Sequence, residues 1–178
     1  VEGSVAICDL KTGEWLFSDA EDANRGTIPA STFKVCNALI ALEEGAIAPG
    51  EVIRWDGVEK LFKGKPVKAW NADANLESAF KNSTIWFFAE LSRRVPRSTY
   101  QKYLREIGYG NCDVSEKGDD FWNYGAMRMT PREQVAFIAR LYKEDLPFKK
   151  ENMRLIKTYM AIAKNPEYVL SGKSGWGI

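Results

Sequence analysis

Two serines in the chain stand three residues ahead of a lysine: Ser31 before Lys34 in PASTFKVCNALIALEEG, and Ser78 before Lys81 in ESAFKN. A serine hydroxyl one helical turn from a lysine can act as a nucleophile beside its base, provided the lysine is stripped of water and its amine is neutral. At ordinary composition this spacing arises by chance about once in a chain of this size, so context must discriminate. Ser78 and Lys81 lie between Glu77 and Asn82 and read as a solvated helix face. Ser31 instead precedes an apolar run, Phe33, Cys36, Leu39, Ile40 and Leu42, that covers most of a helix circumference and so reads as buried. Pro29 fixes the approach, Lys34 turns toward the core, and Ser31 sits at a helix N-terminus, where free N–H groups and the dipole favour an oxyanion. The competing reading is an N-cap serine followed by a lysine that snorkels to solvent.

Histidine is absent from the 178 residues. That excludes Ser-His-Asp and Cys-His catalysis and His-ligated zinc, so a hydrolase built on this chain must move its proton with a lysine or a carboxylate. Burial frees a lysine amine, which can take a proton itself or combine with carbon dioxide to give a carbamate, a carboxylate-like base. Cys8, Cys36 and Cys112 are odd in number and widely spaced, giving neither a disulfide framework nor a paired metal-ligand pattern. A hydrophobic content of 45% supports a real core in one domain or two small lobes. The net charge of +1 offers no surface for nucleic acid or anionic membrane, and no apolar run approaches the length of a bilayer span. The chain starts at Val1 with no leader, so any secretion signal is expected to have been removed or never present.

These residues need elements to hold them. Val5 and Ile7 alternate with smaller residues, LKTGEW supplies a turn and WLF a second extended run, which predicts a hairpin. A helix is expected from about Thr32, with Gly45 as its C-terminal glycine. Residues 46–73, with Pro49-Gly50, Asp56-Gly57 and FKGKPVK, read as loop-rich surface. Helices are expected in TIWFFAELSRRV, in RSTYQKYLREIG with Ser98 and Gln101 as capping box and Gly108 as stop, and in MTPREQVAFIARLYKEDLP, capped by Thr130 and Glu133 around Pro131. KKENMRLIKTYMAIAKN predicts one further helix, and EYVLSGKSGWGI a strand that returns to the first hairpin in an α/β sandwich.

Three more fragments bear on the chemistry. KNSTIWFF sets Ser83 beside a helix start, IGYGN places Tyr109-Gly110-Asn111 in a turn, and SGKSGWG puts Lys173-Ser174-Gly175 at a strand end. Singly these are a cap, a turn asparagine and an exposed strand lysine. In this order and at these separations they resemble the class D, or oxacillinase-type, serine β-lactamases. The resemblance runs through PASTFK, IRWDG, KAWNADANLESAFKNS, YGN and FW to GKSGWG. It implies an α/β fold of the serine β-lactamase and penicillin-binding-protein kind, with an antiparallel sheet and a helical subdomain. Residues 1–178 would form a single, partial penicillin-recognising domain, with 1–18 and 167–178 in the sheet part and 74–164 mainly helical.

By matching motif, the resemblance makes Ser31 the acyl-accepting nucleophile and Lys34 the lysine that is carboxylated and serves as general base. Ser83 relays protons, and Lys173 supports that relay and attracts the substrate carboxylate. Ser174 keeps the hydroxyl of a commoner threonine, Gly175 and Trp176 follow it, and the N–H groups of Ser31 and Trp176 form the oxyanion hole. Ile85 replaces valine as an apolar wall beside Lys34. Trp122 corresponds to the indole that donates to the lysine carbamate, its alternative being ordinary core packing. Asn123 replaces a leucine, which predicts easier water entry near Lys34. The implied ligands are β-lactam antibiotics, with no nucleic acid, no membrane segment and no metal or organic cofactor. Carbon dioxide or bicarbonate carboxylates the lysine, and the implied location is periplasmic or secreted.

Family members continue past GKSGWG with further strands, a carboxylate-binding arginine and a closing helix, and they begin earlier. The expectation is therefore a domain truncated at both ends, completed by more of the same chain, a complementing segment or a homodimer partner. Two rivals to the hydrolase are a receptor's β-lactam sensor domain that stays acylated and an inactive truncated relative. Sensors tend to carry asparagine where Ile85 stands, which favours the enzyme.

Overall fold

The computed structural model describes residues 3–177; Val1, Glu2 and Ile178, the ends of the expected domain, lie outside the described residues. In chain order the elements are β1 (Ala6–Cys8), β2 (Trp15–Phe17), α1 (Lys34–Glu43), β3 (Val52–Ile53), β4 (Leu61–Phe62), β5 (Lys65–Pro66) and β6 (Ala74–Asn75). Then follow α2 (Leu76–Lys81), α3 (Ile85–Arg94), α4 (Arg97–Ile107), α5 (Phe121–Tyr124), α6 (Pro131–Tyr142), α7 (Lys150–Met160), β7 (Ala161–Lys164) and β8 (Val169–Ser171).

The apolar circumference of α1 makes it the buried axis of the molecule: residues 34–42 are all buried, with α3 and α7 packed against them. It stops where Gly45 adopts φ +66°, and the N–H groups of Ala46 and Gly45 reach back to the Ala41 and Leu42 carbonyls. Its start differs from expectation. Ala30–Phe33 form a 3-10 turn before the α-helix, held where the Thr32 N–H and hydroxyl both donate to the Pro29 carbonyl at 3.1 and 2.6 Å. Beside α1, Phe33 meets Tyr109, Phe121 and Trp122 with ring centroids 5.4–5.6 Å apart, a cluster that ties the turn to α5.

Thr130 and Glu133 cap α6 reciprocally around Pro131, as their spacing predicts. Ser98 and Gln101 do not cap α4: Pro96 starts that helix earlier, and Gln101 donates instead to the Cys112 carbonyl at 2.8 Å. Gly108 ends α4 at φ +67°.

The last helix and strand require correction. The helical pattern that begins near Lys150 ends at Met160, and Ala161–Lys164 become β7, because Asn165 and Pro166 turn the chain back onto itself. The Asn165 side chain accepts from the Glu167 and Tyr168 N–H groups, and β8 pairs antiparallel with β7, Ala161 opposite Ser171 and Lys164 opposite Val169. Among the described residues β8 therefore pairs with its own neighbour and not with the first hairpin, where β1 pairs β2 with Ile7 opposite Leu16. A cavity of about 410 Å³, lined by Leu10, Ile138, Tyr142, Met160 and Leu170, separates the two hairpins. Residues 46–73 are also less superficial than expected: Trp70 is buried, donates to the Asn82 carbonyl at 2.9 Å and accepts from the Trp86 indole at 2.8 Å.

Candidate active site

Ser31 lies inside the 3-10 turn and Lys34 is the first residue of α1, so the hydroxyl and the amine share one turn of backbone. Lys34 is fully buried, and its Nζ is 2.6 Å from Ser31 Oγ. No N-cap bond is made by Ser31, and Lys34 does not snorkel, so both halves of the competing reading fall. The residue before the serine, Ala30, has φ +47°, a left-handed conformation that opposes an L side chain by roughly 1–2 kcal/mol and is retained where Ser31 meets Lys34. Burial pushes the Lys34 amine down to about 7, the positive charge of Lys173 pushes the same way, and Asp120 opposes them. At about 7 the amine is neutral in roughly half of the molecules at pH 7, a property of the place and not of lysine.

Ser83 sits between α2 and α3 with φ +52°, again strained for a non-glycine residue. It is not a cap; Thr84 holds the N-cap position of α3. Its Oγ accepts from Lys173 Nζ at 3.0 Å, and the same ammonium donates to the Ser174 carbonyl at 2.9 Å. Burial lowers Lys173 to about 8.

Past β8, the backbone at Gly175 presses on the 3-10 turn that carries Ser31. A Cβ there would lie 2.9 Å from Thr32 Cγ2 and 3.0 Å from the Pro29 carbonyl oxygen, which only glycine avoids. That approach brings Ser174 and Trp176 over Ser31. Ser31, Ser83, Ile85, Ser174 and Trp176 then line one cavity of about 160 Å³, closed on its other side by Phe62 and Trp70. Among the described residues neither the Ser31 nor the Trp176 backbone N–H has an acceptor.

Trp122 is fully buried and stacks on Phe33 at 5.4 Å, so it does pack the core. Its indole Nε1 is also buried without a hydrogen-bond partner among the described residues, an arrangement that costs about 1–3 kcal/mol unless an acceptor is supplied. The Asn123 amide points to Asp120 at 3.4 Å. Asn111 stays outside the cavity: its side chain accepts from the Arg128 N–H at 2.9 Å and donates to the Ala126 carbonyl at 2.8 Å, a clamp between two loops.

Phe62 and Trp70 were missed by sequence reasoning. The signal that existed was two aromatics bracketing the polar, glycine-containing stretch KGKPVKA, which reads as surface by composition alone.

The penicillin binding protein transpeptidase domain, as a family model, matches residues 3–178, the span that holds the helices, the short antiparallel hairpins and the serine-lysine pair. The similarity narrows from there. Beta-lactamase OXA-2 of Salmonella typhimurium is 34% identical over 98% of this chain and 63% of its own length. The probable beta-lactamase YbxI of Bacillus subtilis is 36% identical over 98% and 64%. The class D beta-lactamase YbXI from Nostoc superposes with TM-score 0.93 at 35% identity, covering 99% of this chain and 73% of that one. A class D beta-lactamase from Sebaldella termitidis superposes with TM-score 0.91 at 38% identity, covering 99% and 70%. The chain belongs to the class D β-lactamase family. It spans a little under two thirds of the length of these curated relatives.

Proposed function

We propose that this chain carries the reaction centre for hydrolysing the β-lactam amide bond through an acyl-enzyme on Ser31. The observation that carries the reading is the 2.6 Å contact between Ser31 Oγ and the buried, weakly basic Lys34 Nζ. Ser31 Oγ attacks the lactam carbonyl carbon while the Lys34 side chain takes its proton, and the developing oxyanion meets the N–H groups of Ser31 and Trp176. The carbon–nitrogen bond breaks as Ser83 delivers a proton to the leaving nitrogen; Lys173 replenishes Ser83, and the proton that Lys34 took from Ser31 passes back into this relay, leaving the base at Lys34 free for the second step. Water then attacks the ester, giving a proton to the base at Lys34, and Ser31 leaves as a hydroxyl.

Lys173 and Ser174 hold the substrate carboxylate, Gly175 lets them close on the site, and Ile85 shields the base. Carbon dioxide bound at Lys34 would supply a carboxylate-like base there. The residues present fit such a group on two counts, a neutral buried amine and the acceptor-less indole N–H of Trp122. No metal enters the proposed reaction. The substrates are β-lactam antibiotics, and the working place is the periplasm or the medium; no described helix is long and apolar enough to cross a membrane.

Intact-mass analysis of the chain mixed with a penicillin tests the reading. A transient adduct that clears with time and is absent in Ser31→Ala is expected. An adduct that persists would contradict hydrolysis, and the absence of any adduct would contradict the whole reaction centre.

A further inference from the structure

The hairpin β4–β5 turns through Lys63 and Gly64, whose φ angles are +50° and +75°. Two consecutive left-handed residues make the tight hairpin turn that suits glycine and strains lysine. Lys63 Nζ lies 4.4 Å from the centroid of the Trp176 indole and 5.9 Å from that of Phe62, and those two rings meet edge to face at 5.9 Å. Both rings line the cavity into which Ser31 and Ser83 open.

Lys63 is exposed, and among the described residues no carboxylate lies within ion-pair distance of it. Lys60, three residues earlier, is instead tied to Asp56 at 2.5 Å. The distinction matters because a carboxylate partner cancels most of an ammonium's field, whereas aromatic faces hold the ammonium and leave its charge to act on a ligand.

We infer that Lys63 is a specificity-determining residue, a rim cation held by Trp176 and Phe62 that favours β-lactams whose acyl side chain carries a second negative charge. The inference rests on the function proposed above. Lys173, hydrogen-bonded to Ser83, serves the carboxylate common to the substrates; Lys63 is a second cation on a different element, exposed to solvent and resting on two rings that line the cavity. At such an exposed rim, one added charge pair about 5 Å apart in a water-like dielectric changes a rate by about fourfold. The effect is screened by salt.

The test compares Ser31 acylation rates, read by intact mass, for two penicillins that differ only in whether the side chain bears a carboxylate or its neutral methyl ester. Wild type, Lys63→Met and Lys63→Arg are measured at low and at high salt; methionine keeps an apolar stem on the rings, arginine keeps the charge as well. Wild type at low salt is expected to react about fourfold faster with the carboxylate compound. That preference should fall to about one in Lys63→Met and at high salt, and survive in Lys63→Arg, while the ester's rate stays within about twofold throughout. An unchanged preference in Lys63→Met overturns the inference, as does an equal loss of rate for both compounds, which would mark Lys63 as a prop for Trp176 only. Wild type that forms no adduct with either compound overturns the underlying function, and the inference with it.

Discussion

The chain contains the same serine-lysine spacing twice, and the two copies behave in opposite ways. At Ser78 and Lys81 the serine completes a reciprocal cap with Asn75 at the start of α2, and the lysine reaches over solvent to Glu77 at 2.8 Å. At Ser31 and Lys34 the serine caps nothing, and the lysine, fully buried, reaches the serine itself. Spacing is therefore not the source of the chemistry. What separates the two pairs is burial, supplied by the all-round apolar sequence of α1, and the strained Ala30 and 3-10 turn that withhold the serine from capping.

Substitutions at the two pairs should diverge most at the serines. Ser31→Ala is expected to lower the rate of acylation by a penicillin about a thousandfold or more, whereas Ser78→Ala leaves it unchanged and removes up to about 1 kcal/mol of stability by loss of the reciprocal half of the Asn75 capping box. Intact mass and urea denaturation read the two effects. At the lysines, Lys34→Ala should cost about a hundred- to ten-thousandfold in acylation, and Lys81→Ala nothing measurable. Lys34→Met should abolish reaction yet raise the melting temperature by several degrees, because a desolvated amine with a single hydroxyl partner is replaced by an apolar side chain suited to the buried site.

The pH dependence sharpens the contrast. With Lys34 held near 7, acylation should fall as pH drops through about 7, where the amine gains a proton and can no longer accept one. Stability follows the same group with a definite sign. Between about 7 and the ordinary lysine value of 10.5 the unfolded chain binds more protons at this position than the folded one, so stability rises with pH across that window. Lys34→Met should reduce that rise in denaturation curves to the part between about 8 and 10.5 that Lys173 contributes, and Lys81→Met should leave it unchanged. A smaller effect is expected at Gly175→Ala: the added methyl must push Thr32 or Pro29 aside, so acylation slows about tenfold through displacement of Trp176 while the core is untouched.

Much of this was legible in the sequence, for reasons that differ by residue. The burial of Lys34 follows from apolar residues around the whole of α1, and the α6 cap from Thr130, Pro131 and Glu133, because both are local patterns. The 3-10 turn before α1 was not legible, since it depends on the Pro29 carbonyl taking two donors from Thr32. Nor was β7, where Ala161, Ile162 and Ala163 continue a helical pattern that the Asn165-Pro166 turn overrides. The wall formed by Phe62 and Trp70 was hidden in a polar stretch whose hairpin folds back over the site, a long-range placement that no window of sequence contains. Asn111 was legible as a turn residue and is one.

The most direct test of the central claim, that burial makes Lys34 a base where Lys81 is only a surface cation, is carbon-13 NMR of the chain in labelled bicarbonate. The account predicts a protein-bound carbamate resonance that disappears in Lys34→Ala, persists in Lys81→Ala, weakens in Trp122→Phe and fades as pH falls below about 7. A resonance that survives Lys34→Ala, or none in the wild-type chain at neutral pH, would contradict it.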